Sequence, residues 1–228
     1  MKKAIVLTFL CVVSIASATA QNETVKGLKQ GPWVVAHEGS KVIRYKGQFD
    51  HGIPVGIFTH YHTNGKVHAI MKFRASTGSC YSKEFSTEGK LMAEGIYASP
   101  AVKDSIWRIY NTAGELLTRE TYRMGILDGP FETLYPSGKP MERGVMKNGK
   151  KDGGWTQWSE KGYKIRTSFY SEGMLNGIWT EYDHSGKIMI RGKYEDNLKE
   201  GIWTEYNEGK PIGELHFSKG RQIDKSKP

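Results

Sequence analysis

Histidines come closest to a reactive cluster in this sequence. His51, His60, His62 and His68 lie near one another in the chain, and imidazole is a common protein ligand for zinc, copper and nickel. His60 and His62 alternate with Tyr61, so in a strand both would project from one face and could share a metal ion. A third ligand at suitable spacing is missing, and a divergent repeat that tolerates polar residues explains the cluster equally well. We therefore predict no metal and no cofactor.

A single thiol and three recurrent carboxylates are the other candidates for catalysis. Cys80 has no histidine beside it in the sequence, so we interpret it as a packed residue and not as a nucleophile. Glu132, Glu181 and Glu205 recur beside aromatic residues, which indicates a surface ladder, because a catalytic pair need occur only once. Residues 149–151 lack the pattern of a phosphate-binding loop. These residues predict a protein that is not an enzyme.

The N-terminus has the pattern of a secretory signal peptide. Two lysines precede an apolar run over residues 4–13, and small residues follow at 18–20. This pattern predicts a signal peptide over 1–20 that is cleaved between Ala20 and Gln21. The expected location is therefore the periplasm, the envelope or the exterior. No later stretch is apolar for long enough to cross a bilayer, and the one cysteine left in the mature chain excludes an internal disulfide.

The chain is basic, with 33 Lys and Arg against 24 Asp and Glu and a formal net charge of +9. This balance favours an acidic partner, which could be an anionic lipid, an acidic protein or a polyanionic glycan. Nucleic acid is not expected as a partner of an exported chain. The candidate contacts for an anion or lipid headgroup are Lys147, Lys150, Lys151, Lys219, Arg221, Lys225 and Lys227.

The strongest regularity is an internal repeat. Four glycines are spaced by 24 residues, and each is followed two positions later by an aromatic residue. A second glycine series and a tyrosine recur at the same interval, and the earlier units are more divergent. The residues that define the repeat are Trp33, Phe58, Trp107, Phe131, Trp155, Trp179, Trp203, Tyr182, Tyr206, Gly129, Gly153, Gly177, Gly201, Gly138, Gly162, Gly186 and Gly209.

Each unit is predicted to form a β-hairpin. Glycine pairs such as Ser185-Gly186 favour two-residue loops, and no segment after the signal shows a helical apolar period. Such a loop places Trp179 opposite Gly192, where the ring can cover the backbone of the small residue across from it. The same register predicts two further pairs, Phe131 with Gly144 and Trp155 with Ser168. The spacing is therefore interpreted as mainly structural.

The motif G-x-W-x-x-Y followed by G-K resembles MORN repeats of the bacterial variant type, the YwqK-like antitoxin-family repeats. Residues 129–139, 177–187 and 201–210 carry it. The resemblance implies an all-β fold, namely an elongated single-layer antiparallel sheet of about eight tandem hairpins. It also implies protein or phospholipid binding and supplies no catalytic residues. An exported chain cannot neutralise a cytoplasmic toxin, so an antitoxin role would require an exported toxin.

These observations predict a domain organisation and a function. The predicted segments are a signal peptide over 1–20, a short lead over 21–30, a repeat array over 31–220 that is degenerate over 31–104 and regular over 105–220, and a basic tail over 221–228. The leading hypothesis is a non-enzymatic exported repeat protein with an extended aromatic surface for protein–protein interaction or self-association. The alternatives are binding of anionic phospholipid headgroups, binding of a glycan or the cell wall, and an antitoxin-like partnership with an exported toxin.

Overall fold

The fold is one open antiparallel sheet, which confirms the predicted fold class. The computed structural model describes residues 21–74 and 77–223, and these contain no helix. The strands are β1 Glu23–Val25, β2 Leu28–Ala36, β3 Ile43–Asp50, β4 Ile53–Tyr61, β5 Val67–Phe73, β6 Cys80–Phe85, β7 Leu91–Ser99, β8 Val102–Tyr110, β9 Leu116–Arg123, β10 Ile126–Leu134, β11 Pro140–Lys147, β12 Lys150–Trp158, β13 Lys164–Ser171, β14 Met174–Leu175, β15 Gly177–Tyr182, β16 Ile188–Glu195, β17 Leu198–Asn207, β18 Lys210–Ser218 and β19 Arg221–Ile223.

Neighbours in the sheet are neighbours in the chain. Each strand pairs with the next, except that β14 and β15 both pair with β13. The predicted signal peptide, with Ala20 at its end, and the tail residues Lys225 and Lys227 lie outside the described residues.

The loops along one edge of the sheet differ from the predicted form. The Asp183 N–H donates to the Lys187 carbonyl at 2.8 Å, and the Gly186 N–H donates to the Asp183 carbonyl at 3.1 Å. The loop therefore has three residues and ends in Gly186, whose φ of 85° is the left-handed conformation that favours glycine. The same bonding closes the loops that end in Gly65, Gly89, Gly114, Gly138 and Gly162. The predicted two-residue loops are wrong at these positions, whereas Glu208-Gly209 does connect Asn207 and Lys210 directly.

The predicted register is nevertheless correct. The pairing shifts by one residue between Glu181 and Tyr182, and this bulge offsets the extra loop residue. Trp179 therefore pairs with Gly192 as expected. The other two predicted pairs, Phe131 with Gly144 and Trp155 with Ser168, are also present.

Tight turns along the opposite edge connect each hairpin to the one before it. Asn148 and Gly149 form such a turn, with φ angles of 50° and 79°, both in the left-handed region. The Gly149 N–H then donates to the Leu127 carbonyl of the preceding hairpin at 2.8 Å. Equivalent bonds start from Gly52, Gly125, Gly173, Asn197 and Gly220. A single hairpin is marginal in water, so these bonds stabilise the hairpins as an array.

The sheet has two unlike faces. Side chains alternate between the faces along a strand, and paired residues share a face, so the register assigns each side chain. The tryptophan face carries Trp33, Phe58, Trp107, Phe131, Trp155, Trp179 and Trp203. The isoleucine face carries the residue just before the aromatic one, including Ile57, Ile106, Ile178 and Ile202.

The buried rings of the tryptophan face lie on glycines of the preceding strand. Trp203 covers Gly192, because the segment 201–203 bulges opposite that one glycine. The prediction that Trp179 covers Gly192 is wrong, although the two residues pair. The same arrangement places Trp155 on Gly144, Trp107 on Gly95 and Phe58 on Gly47. A ring can lie this close to the backbone only where no Cβ intervenes.

This packing recurs at every second hairpin of the regular half. The exposed fractions of Trp107, Trp155 and Trp203 are 0%, 2% and 2%, and each ring carries a lysine ammonium 4.5, 3.9 and 4.3 Å from its centroid. These lysines are Lys103, Lys151 and Lys199. Leu127 and Leu175 occupy the same place in the intervening hairpins, where Phe131 and Trp179 are partly exposed. The physical unit of packing is therefore a pair of hairpins.

We expect Gly192→Ala to lower the free energy of unfolding by about 1–3 kcal/mol, because the added methyl overpacks the contact with Trp203. A Cβ at Gly192 would lie closer than 3.0 Å to that ring. Gly154→Ala is the matched control, since its Cβ would lie 4.0 Å from the nearest heavy atom, on Phe169. The control should be neutral or slightly stabilising. Urea unfolding of both variants tests this, and equal midpoints would contradict the packing described above.

Candidate functional site

The ring of His60 belongs to the packing of the tryptophan face. Its centroid lies 5.7 Å from that of Tyr45 in the adjacent strand. Burial, with smaller contributions from the charges of His68 and Arg44, lowers the pKa of His60. The imidazole is thereby biased towards its neutral form.

His62 has different neighbours. Its Nε2 lies 2.9 Å from the Phe85 carbonyl oxygen of the next hairpin, and its ring centroid lies 4.5 Å from that of His68. His37 makes the equivalent contact with the Tyr61 carbonyl oxygen at 3.0 Å. Within residues 21–74 and 77–223, no group of three or more His, Cys, Asp or Glu side chains is placed to hold a metal ion. These histidines link one hairpin to the next.

Cys80 lies in the packed part of the tryptophan face with an exposed fraction of 2%. Burial raises the pKa of its thiol, which disfavours the nucleophilic thiolate. The residue borders an apolar cavity of about 250 Å³, which Phe58, Met71 and Phe73 also line. The described surroundings of Cys80 therefore favour a packed thiol.

The three recurrent glutamates do not form one ladder. Glu132 pairs with Arg119 and Arg143 on the isoleucine face and is 9% exposed. Glu181 lies on the tryptophan face, where its Oε1 accepts a hydrogen bond from Trp179 Nε1 at 3.1 Å. The sequence interpretation missed this because Glu132 follows its aromatic residue by one position, whereas Glu181 and Glu205 follow theirs by two.

The predicted aromatic ladder is also divided between the two faces. Tyr182 follows Trp179 by three positions, and an odd spacing in a strand reverses the face. The Tyr182 hydroxyl accordingly lies 3.4 Å from Thr167 Oγ1, which belongs to the isoleucine face. Tyr206 has the same spacing from Trp203. One continuous aromatic surface is therefore absent from the described part of the array.

A row of charged residues crosses the middle of the isoleucine face. Its members on six neighbouring strands are Lys83, Glu94, Arg108, Arg119, Glu132 and Arg143. The Glu94 carboxylate accepts hydrogen bonds from Tyr81 and Tyr110 at 2.6 and 2.8 Å. Arg119 Nη1 and Arg143 Nε both bond to the Glu132 carboxylate. The row thus combines four positive side chains with two carboxylates, both of which already accept hydrogen bonds from other side chains of the sheet.

Apolar side chains along the same face are exposed to solvent. The exposed fractions of Ile57, Ile106, Ile178 and Ile202 are 61%, 50%, 48% and 49%. Val145 and Phe169 of the same face are further exposed members of this set. The tryptophan face buries Phe58, Trp107, Trp155 and Trp203 and leaves its other repeat rings only partly exposed, whereas the isoleucine face leaves these apolar side chains about half exposed. The isoleucine face is therefore the candidate functional site.

The predicted basic contacts are distributed over several surroundings. Lys147 and Lys150 flank a tight turn and share a groove with Asp152 and Glu172. Lys151 instead lies over the Trp155 ring of the tryptophan face and its Nζ bonds to Glu142 at 2.8 Å.

The remaining described basic candidates lie at the last turn of the sheet. Lys219 occupies this turn, and its backbone N–H donates to Glu200 at 2.7 Å. Arg221 follows directly, at the start of β19. Acidic side chains therefore lie close to Lys147 and Lys150 and also to Lys219. None of the described residues forms a helix long and apolar enough to cross a membrane.

Comparisons with known proteins identify one repeat family. A family model described as a MORN repeat variant matches residues 54–75 and 175–196, one stretch in each half of the array. No curated protein matches the chain significantly.

Solved structures also contain stretches similar to this chain, among them the following three. Two are crystal structures of TcdB2-TccC3 with and without Cdc42, at 10% identity and TM-scores of 0.20 and 0.21. The third is the Photorhabdus luminescens Tc holotoxin pore with the mutation TccC3-D651A, at 10% identity and a TM-score of 0.21. The matches cover 84%, 84% and 76% of this chain but 12%, 13% and 12% of those chains. Scores this low carry no argument about fold or function.

We expect the Tyr81 phenol to ionise late. Partial burial, followed by the hydrogen bond to Glu94, raises its pKa from 10.0 to about 12. Because the folded state holds this proton more tightly, the stabilisation is fully present below pH 10 and is lost as the pH rises through about 12. Phenolate absorbance near pH 12 should lose the contribution of one phenol in Tyr81→Phe, whereas Tyr122, whose pKa burial and the hydrogen bond to Glu120 also raise to about 12, continues to titrate there. A difference between the two titrations centred at pH 10 would contradict this assignment.

Glu132→Gln should lower the free energy of unfolding by about 1–2 kcal/mol, since it removes the carboxylate between two arginines that are themselves half exposed. Glu214→Gln changes an exposed carboxylate in the same row of the sheet and should change stability by less than about 0.5 kcal/mol. Urea unfolding compares the two variants. Equal losses would show that Glu132 has no special role in the row.

Proposed function

We propose that this chain is a non-enzymatic, exported repeat protein that binds a protein partner, or a second copy of itself, through its isoleucine face. The match of two stretches to MORN repeat variants supports a repeat protein with a binding role. The observation that carries the proposal is the contrast between the two faces, one covered by its own side chains and one with exposed apolar groups.

Regular exposure of isoleucine favours an extended contact. Ile178 and Ile202 occupy equivalent positions two strands apart, which corresponds to about 10 Å. Both are about half exposed, at 48% and 49%. Covering such side chains removes apolar surface from water, with a gain of about 25 cal/mol per Å². A partner that lies along the sheet can use several of these contacts at once.

The tryptophan face is less suited to binding. Trp107, Trp155 and Trp203 are almost fully buried within the sheet, so a partner cannot gain much by covering them. Their role is to stabilise hairpins by lying on glycines. The proposed surface is therefore aliphatic and charged, and it differs in this respect from the aromatic surface expected from the sequence.

The potentially reactive groups of the described residues are engaged in separate contacts. His60 and His62 contact different neighbours, and Cys80 is buried with a raised pKa. Glu132 is engaged by two arginines on the face opposite Glu181. Catalysis by these groups would require a base, a nucleophile and an orienting group that converge on one point.

Export rests on the signal-peptide pattern of residues 1–20. In that compartment a partner would be another exported or envelope protein. The lipid alternative receives less support, because Lys147 and Lys150 share their groove with Asp152 and Glu172. Anionic vesicles are therefore included as a second probe in the test.

The double variant Ile178→Ser/Ile202→Ser tests the proposal. Met124→Ser/Ile212→Ser is the matched control, because it removes two side chains that are 65% and 66% exposed but lie near the edges of the sheet, one in a tight turn and one at the bulge of β18 beside the Glu208-Gly209 loop. Envelope proteins crosslinked to the tagged chain are compared by mass spectrometry, and the size of the purified chain is measured by sedimentation.

We expect the isoleucine variant to lose its crosslinked partner or its self-association, and the control to retain it. Both variants should unfold within about 1 kcal/mol of the parent, because the changed side chains are exposed. A chain that is strictly monomeric and recovers no specific partner would overturn the proposal. Binding to anionic vesicles that both double variants retain, without a protein partner, would favour the lipid alternative instead.

A further inference from the structure

The charged row in the middle of the isoleucine face contains an unbalanced segment. Arg108 and Arg119 are direct cross-strand partners, and like charges placed opposite one another destabilise a sheet. Arg119 and Arg143 share the single carboxylate of Glu132. Arg108 lies opposite Glu94 on its other side, but that carboxylate is engaged by Tyr81, Tyr110 and Lys83, and the Arg108 guanidinium approaches no carboxylate of residues 21–74 and 77–223 within 4.0 Å. Arg108, Arg119, Glu132 and Arg143, here called the arginine segment, carry a net charge of +2.

The hairpin fold does not require this charge. Arg108 and Glu132 occupy the position directly after the repeat aromatic residue. In other units this position is threonine, at Thr156, Thr180 and Thr204. Threonine suits a paired strand well, so the array can be built without charged groups there. The charge is a feature of this part of the face and not of the repeat.

The guanidinium groups keep donors available to a ligand. Each arginine has five N–H donors, and Arg119 Nη1 and Arg143 Nε are the nitrogens that contact Glu132. The two side chains are 44% and 55% exposed. The planar group can therefore bind a second carboxylate without losing Glu132, and a carboxylate there would offset the opposed charges of Arg108 and Arg119.

An apolar groove adjoins these donors. Ile106, Thr121 and Pro130 line a cavity of about 240 Å³ together with Arg119 and Arg143. Ile106 is 50% exposed, and Val145, the cross-strand partner of Pro130, is 44% exposed. A lone anion would leave this apolar surface uncovered. The groove therefore suits a ligand that combines carboxylates with aliphatic side chains.

From this arrangement we propose that the arginine segment and its groove bind an extended acidic peptide segment of a protein partner, in which carboxylates alternate with aliphatic residues. Carboxylates of the segment contact Arg108, Arg119 and Arg143, and an aliphatic side chain fills the groove beside Ile106. The two rows lie side by side, with the arginines in one and Ile106, Pro130 and Val145 in the other. Successive side chains of an extended peptide point to opposite sides, so a peptide that runs between the rows turns its carboxylates to one and its aliphatic side chains to the other. This inference rests on the proposed function and specifies the chemistry of the partner.

A fluorescein-labelled peptide of alternating valine and glutamate is the probe, and fluorescence anisotropy with the full chain measures its binding. We expect binding that weakens as salt is added, and no binding of the matching valine–glutamine peptide. Arg119→Gln should weaken binding about tenfold. Arg191→Gln is the matched control, because Arg191 lies in the corresponding row between two threonines, and it should change binding by less than about twofold.

Arg108→Gln separates binding from folding. Because Arg108 lies between Glu94 and Arg119, its loss removes one attraction and one repulsion and should leave the free energy of unfolding nearly unchanged. It should nevertheless weaken peptide binding about as much as Arg119→Gln does. A variant that is stable and binds the peptide like the parent would overturn the proposal. Equal binding of the glutamate and glutamine peptides would overturn it as well.

Vesicles of anionic phospholipid test whether the arginine segment binds lipid headgroups instead of an acidic peptide. If Arg108→Gln abolished vesicle binding while the peptide bound neither form of the chain, the acidic-peptide proposal would be wrong. Failure here is separable from failure of the proposed function. If the Ile178→Ser/Ile202→Ser variant lost its protein partner but the parent chain did not bind the acidic peptide, the proposed interaction role would stand and the acidic-peptide inference would be wrong.

Discussion

The packing of a large ring on a residue without a side chain is the contact on which the rest of this sheet depends. Trp203 lies on Gly192 and Trp155 lies on Gly144, in each case across the bulge that begins a G-x-W segment. The described residues form a single layer with no second sheet or helix to supply a core, so these rings are buried against the backbone of their own sheet. A lysine above the ring completes the enclosure at alternate hairpins.

This solution to burial has a consequence for function. The tryptophan face uses its apolar groups for internal packing, so the exposed apolar groups collect on the opposite face, where Ile106, Ile178 and Ile202 are about half exposed. The charged row that crosses part of that face places arginines beside Ile106. A surface of this kind offers shape, apolar area and charge together, which are the elements of protein recognition. Reactive groups, by contrast, are distributed among hairpin-to-hairpin contacts.

The sequence predicted the architecture well because repetition multiplies a weak local signal. The pairing of Trp179 with Gly192 was correct although the predicted loop was wrong, since the extra residue of the Gly186 loop is offset by the bulge after Glu181. Counting residues between the two strands cannot detect an extra loop residue and a bulge that cancel each other. The same count could not show which strand a ring leans towards, because that depends on the three-residue bulge at 201–203.

The sequence by itself determined the hairpin period, the antiparallel pairing and the glycine positions that the turns and rings require, because these depend on local backbone conformation and on alternation within a strand. Only the tertiary structure decided that Gly192 is covered by Trp203, and not by its cross-strand partner Trp179, and that Arg108 and Arg119 are opposed. These relations join residues on different strands, and they depend on how bulges set one strand against the next. The candidate site therefore emerged from the register between hairpins and not from any motif within one.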